Sequence, residues 1–313
     1  MRCRVLLAIG IVLGCLEGFA GEAARAQTPT PLPEGSSNRS INLGGRGWGG
    51  AEPPQPPKEN GDQTIQFSAK AGIASDYIYR GTTLSDRKPA VGAGIEATYR
   101  WLYAGATVAS VKLPTNPSSE ITVSAGMRPT LGPIEFDIGA TYFAYPGETP
   151  GGPTNGIEYW EAAFRGAVPI GESIRIAAGY AYSPNVSNTG AWSQYAAVGF
   201  GYDLPAHLLP QHLGISFTTA AGYSWFGNQS LALGGFALPA YLNWQAGVTF
   251  SHKFLNIDLR YYDTNLSKEN CYVFTGDPNA AAGGRTNPVT NPDGLVSRWC
   301  SATFVAKLWL ALN

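Results

Sequence analysis

The chain has 313 residues, of which 44% are hydrophobic, 12% aromatic and only 14% charged, with 39 glycines and 23 prolines; an average soluble domain is about one quarter charged and ~7% glycine. The balance of 21 basic against 22 acidic residues lacks the basic excess that nucleic-acid binding needs, and the absence of any apolar run of about 18 residues excludes a helical membrane protein. The hydrophobic content excludes disorder throughout, which leaves an all-β chain rich in glycine and aromatics.

At the N-terminus, Arg2 and Arg4 precede an apolar stretch from Val5 to Leu16. Ala24, Arg25 and Ala26 then offer a small-x-small cleavage site before Gln27, so residues 1–26 read as a secretory signal. Cleavage after Gly18, Phe19 and Ala20 is an alternative, and Val12 to Cys15 is a weak lipoprotein box. Residues 27–62 hold seven prolines and seven glycines without hydrophobic periodicity. Such a segment buries too little surface to offset its ordering entropy, and it reads as a disordered periplasmic leader.

From residue 63 onward the chain alternates with period two. Ile134, Phe136, Ile138, Ala140 and Tyr142 take one face, and Glu135, Asp137, Gly139 and Thr141 the other. The pattern predicts twelve strands, at 64–80, 89–100, 101–111, 119–131, 133–145, 157–170, 173–183, 191–204, 213–226, 240–252, 254–266 and 297–312. Gly92, Gly94 and Ala97 match a dinucleotide fingerprint in spelling, but the alternation runs straight through them and no helix follows. Short connections at 100–101, 132–133, 171–172, 253 and 205–212 interleave with long polar ones at 81–88, 112–118, 146–156, 184–190, 227–239 and 267–296. That rhythm predicts an all-β, transmembrane antiparallel up-and-down β-barrel over 63–313, with short periplasmic turns and long external loops. Aromatics gather near strand ends, as interface girdles require. Tyr77, Tyr79, Tyr142, Tyr145 and Trp160 are placed at the external rim, and Tyr99, Trp101, Tyr202 and Trp309 at the periplasmic one.

Little in this pattern is catalytic. His207, His212 and His252 fall in or beside short turns, far from the external rim where a Ser-His hydrolase would need its histidine. No cofactor, metal or catalytic group is implied. Charges on the polar faces are more informative, because charge on a lipid face is costly at mid-depth. Arg80, Arg128, Glu135, Asp137, Glu161, Arg165, Arg175, Asp258 and Arg260 are therefore expected to line the lumen. Twelve strands enclose a space between the filled eight-stranded barrels and the open sixteen-stranded porins, so a narrow passage and a plugged interior both stay open. Cys3 and Cys15 leave with the signal. Cys271 and Cys300 remain, and in an oxidising compartment they are expected to form one disulfide closing the longest external loop. Tying that loop removes about 3.6 kcal/mol of chain entropy from the unfolded state, and the loop is expected either to constrict the entrance or to act as a surface staple against proteases.

Ser75, Asp76, Tyr77, Ile78, Tyr79, Arg80 and Gly81, followed by Ser85 and Asp86, Pro89 to Val91, and Tyr103 to Gly105, resemble the first hairpin of TorF-family porins of the bacterial outer membrane. Tyr142 to Gly147 and Tyr159 to Glu161 resemble later segments of the same family, over roughly 64–165. The cysteine-closed loop, the Pro-rich leader and the ending Leu310 to Asn313 depart from it. The resemblance implies a barrel and a porin. With the residue pattern it predicts an outer-membrane channel whose partners are outer-membrane lipids and small hydrophilic solutes or ions. The alternatives are a non-conducting barrel with a structural or surface-interaction role and, far behind, an outer-membrane lipid hydrolase.

Overall fold

A computed structural model of the chain describes residues 64–149 and 156–312. The proposed signal sequence and the Pro/Gly-rich leader lie outside the described residues. The wall is built from twelve strands: β1 (Gln66–Ala74), β2 (Ala90–Tyr99), β3 (Leu102–Ala109), β4 (Glu120–Met127), β5 (Ile134–Ala144), β6 (Tyr159–Ile170), β7 (Ile174–Ser183), β8 (Ser193–Asp203), β9 (Leu213–Phe226), β10 (Tyr241–His252), β11 (Leu255–Thr264) and β12 (Thr303–Leu312). Each pairs antiparallel with the next, and β12 returns to pair with β1, so the sheet closes into a barrel with no free edge. The sequence Gly92 to Ala97 runs through β2 as plain strand.

The alternation sorts side chains as a membrane-spanning barrel demands. On β12, Phe304, Leu308, Leu310 and Leu312 point outward, and Phe304 is 79% exposed; Val305, Lys307 and Trp309 point inward. On β8, Val198 and Phe200 face out, while Ser193, Tyr195 and Ala197 are buried inside. A surface this apolar is stable only against an apolar medium, and closure satisfies every wall strand's backbone without water. Tyr99 and Trp101 face outward near the short turns, and Tyr142, Trp160, Tyr180 and Trp225 near the long loops.

The short turns close between facing residues: Tyr99 with Leu102, Leu131 with Ile134, Ile170 with Ile174, and His252 with Leu255. Arg100 and Lys253 adopt left-handed backbone there, with φ of 54° each. His207, His212 and His252 all lie exposed at this end.

Three expectations need correction. The first strand is shorter than 64–80: the wall ends at Ala74, and Ile78–Tyr79 pairs with Thr82–Thr83 as a small hairpin turned into the lumen. The last strand begins at Thr303 rather than at 297. The 267–296 loop, read as turns alone, contains a helix, α1 (Lys268–Thr275), and a short strand pair, Ala281–Ala282 with Leu295–Val296. Four aromatics assigned to the girdles also turn inward. Tyr77 and Tyr145 are buried among the loops, Tyr79 travels with the hairpin, and Trp309 lies inside against Gly72, whose missing Cβ makes room for it.

Candidate functional site

The lumen is built from inward side chains of every wall strand, and all nine charged residues expected there are ion-paired. Near the short-turn end, Arg128 donates to both oxygens of Glu96 at 2.6 and 2.9 Å. Its Nε lies 3.6 Å from Asp137, and its guanidinium stacks 3.7 Å over the Tyr103 ring. Tyr103 Oη donates to Asp137 at 2.9 Å, and Arg165 approaches the same carboxylate at 3.6 Å. Arg175 pairs with Glu135 at 3.0 Å. One chain of charge thus runs from Glu96 on β2 through Arg128 and Asp137 to Arg165 on β6, with the Arg175–Glu135 pair between β7 and β5 beside it. Across the barrel, Arg260 chelates Asp258 through Nε and Nη2 at 3.0 and 2.8 Å and reaches Thr218 at 2.8 Å. Thr249 donates to the same aspartate at 2.8 Å. Lys307 stands opposite Asp258 in register, its Nζ 4.8 Å from the Trp309 ring.

These pairs follow from register and period. Asp137 faces Arg165 directly across β5 and β6, while Asp258 and Arg260 are two apart on β11 and so share a face. Large inward groups face glycines. A Cβ at Gly126 or Gly139 would strike Tyr103 Oη, and one at Gly222 would strike the Tyr195 ring. The high glycine content is therefore partly a lumen property.

The long-loop end is occupied. The hairpin carries Arg80 across the lumen, where Nη2 donates to both Glu161 oxygens at 2.8 Å. Its guanidinium sits 4.1 Å from the Tyr195 ring centroid on β8 and 4.7 Å from that of Tyr79. Tyr195 Oη in turn donates to Asn243 on β10 at 3.2 Å. Behind the hairpin, Asp76 accepts from Thr83 and Ser85 at 2.5 and 2.9 Å. Glu120, almost fully buried, accepts from Tyr77 and Tyr145 at 2.8 and 3.1 Å.

Above the hairpin lies the loop between β11 and β12. Ser267 caps α1 by accepting from Asn270, and Cys271 is disulfide-bonded to Cys300 with Cα atoms 5.8 Å apart. Cys271, Trp299 and Cys300 form one buried cluster with Leu113, Phe143, Tyr145 and Tyr159. Phe143 and Tyr159 belong to β5 and β6, half a turn around the ring from β11 and β12, so the loop spans the mouth. Phe274 adds a second contact on Phe226 and Tyr241, at 5.2 and 5.3 Å. Tyr103, Glu120, Tyr195, Asn243 and Trp299 were not singled out from the sequence as site residues. The inward glycines opposite Tyr103 and Tyr195 are the signal that could have found those two.

Among solved structures, the NanC porin matches with 7% identity over 79% of this chain and 100% of its own, at a TM-score of 0.45. The KdgM porin matches with 5% identity, 80% and 100% coverage and a TM-score of 0.41. OmpT, an outer membrane protein of Vibrio cholerae, matches with 12% identity, 81% and 99% coverage and a TM-score of 0.34. No curated protein matches the chain in sequence. A family model covers residues 58–285, nearly the whole barrel, and by it the chain belongs to the Gcw_chp family, bacterial proteins of unknown function.

Proposed function

We propose that the chain is a porin-like channel of the bacterial outer membrane, passing small hydrophilic solutes or ions by diffusion. The observation that carries this reading is the closed barrel with an apolar outer wall and an ion-paired, charge-lined interior. A barrel built only as a scaffold has no need of charges at mid-depth, since an apolar filling of the same volume would be as stable or more so. The resemblance of Ser75 to Gly81 to TorF-family porins supports the same reading. In planar bilayers, purified protein should give stepwise single-channel currents.

A non-conducting, structural barrel is the second reading. It is favoured by the buried cluster across the mouth. Electrical silence from a protein whose folded and heat-denatured forms still separate on gels would select it over the channel.

A further inference from the structure

We infer that the inward hairpin, seated on Glu161 through Arg80, sets the width of the passage, and that the disulfide-closed loop latches its base. The inference deepens the porin reading and rests on it.

The hairpin is made for a specific placement of its tip. Arg80 and Gly81 are the two central residues of its turn, with φ of 49° and 81°. A two-residue turn of this kind prefers asparagine or glycine at both positions. An arginine held there against its backbone preference points to a task for its side chain. That task is visible: the guanidinium crosses to Glu161 on β6, while Gly81 leans on Thr264 and Asn243, where a Cβ would collide. The tip therefore touches the walls at β6, β8, β10 and β11, although the hairpin springs from between β1 and β2.

Its base is gripped from above. Thr83 N–H donates to the Trp299 carbonyl at 3.0 Å, and Trp299 Nε1 donates to Asp86 at 3.0 Å. Arg87 donates to the Arg298 and Ala302 carbonyls at 2.9 and 3.3 Å. Trp299 is itself fixed beside the Cys271–Cys300 bond. The two loops form one assembly.

The seat differs from a permanent staple in its energetics. Arg80 and Glu161 are each less than a tenth exposed, and desolvating two charges offsets most of their attraction. Arg80 Nε is buried without an acceptor, a further cost of the seated state. When the tip leaves the seat, both charges regain water inside the lumen. Loss of either partner should therefore release the tip rather than unfold the wall.

The test is single-channel conductance of the full-length protein in planar bilayers, comparing wild type with Arg80→Ala, Glu161→Gln and the swap R80E/E161R. Each single variant should roughly double the unit conductance, and the swap should return it toward wild type. Unchanged conductance in folded single variants of a conducting protein would overturn the hairpin's role and leave the porin reading standing. A swap as open as the single variants would overturn the Arg80–Glu161 seat. If wild type, single variants and a form with residues 78–83 replaced by Gly-Gly are all silent though folded, the porin reading falls and the inference with it.

Discussion

Single residues in this barrel carry weight because their partners are buried with them. Arg128 is the clearest case, holding Glu96 and Asp137 together over the Tyr103 ring. Arg128→Ala should destabilise the barrel by about 3 kcal/mol, since two carboxylates lose their common cation. Arg128→Lys should cost less, keeping the charge but losing the paired geometry. Denaturant midpoints in micelles check both; no change on Arg128→Ala would mean the carboxylates are well hydrated. Asp76, in the loop beyond β1, adds a pH term. Burial pushes its carboxyl above the ordinary value near 3.8, outweighing the Thr83 and Ser85 hydroxyls that pull it down. A carboxyl raised on folding favours the folded loop while protonated. Its contribution is full below the ordinary value and is lost as pH rises through the raised one. Asp76→Asn stays neutral, so its melting temperature should fall less than that of wild type from about pH 3 to pH 7. Parallel curves would place the stabilising effect elsewhere.

At the level of elements, the disulfide loop is tied both to the mouth and to the hairpin beneath it. The Cys271→Ser/Cys300→Ser double variant should lose about 3.6 kcal/mol of stability in the loop-closure model. Reduction of wild type should also make its openings larger or noisier, because Trp299 no longer holds Thr83 in place. Identical currents before and after reduction, in a folded barrel, would leave the bond as a staple against proteases. The wall strands were legible in the sequence because period two separates lipid-facing from lumen-facing residues along each of them. The same period misled at both ends of the chain. Asp76 to Arg80 continues the alternation of β1, yet of these residues Ile78 and Tyr79 pair in a second, smaller sheet and the others lie outside the strands; alternation reports extended backbone, not which sheet receives it. The girdle assignment failed for Tyr77, Tyr145 and Trp309 for a related reason, since sequence places a residue near a strand end without fixing its face once the strand has ended or a glycine makes room inside. The helix at 268–275 had its own signals, Ser267 as cap and Gly276 in left-handed conformation at the other end, hidden by the turn-rich stretch that follows.

For the molecule as a whole, the lumen charges should decide which ions pass. Arg165 is the best probe: its side chain is 36% exposed, against 10% or less for Arg80, Arg128, Arg175 and Arg260. Arg165→Glu should shift the reversal potential in a salt gradient toward cations without loss of folding, and an unchanged potential in a conducting pore would remove Arg165 from the passage. The closed ring has one more consequence, in the order of assembly. Eleven of the twelve wall pairings join strands that are neighbours in the chain; the twelfth joins residues 69–74 to residues 307–312. Until the last strand exists, the growing sheet has two raw edges, β1 and β11, each open to pairing with another molecule. A chain stopped after Ala302 should therefore lose far more than one strand in twelve. It should accumulate as aggregate or be degraded, with no heat-modifiable monomer on gels, whereas a barrel cut inside an external loop should still close.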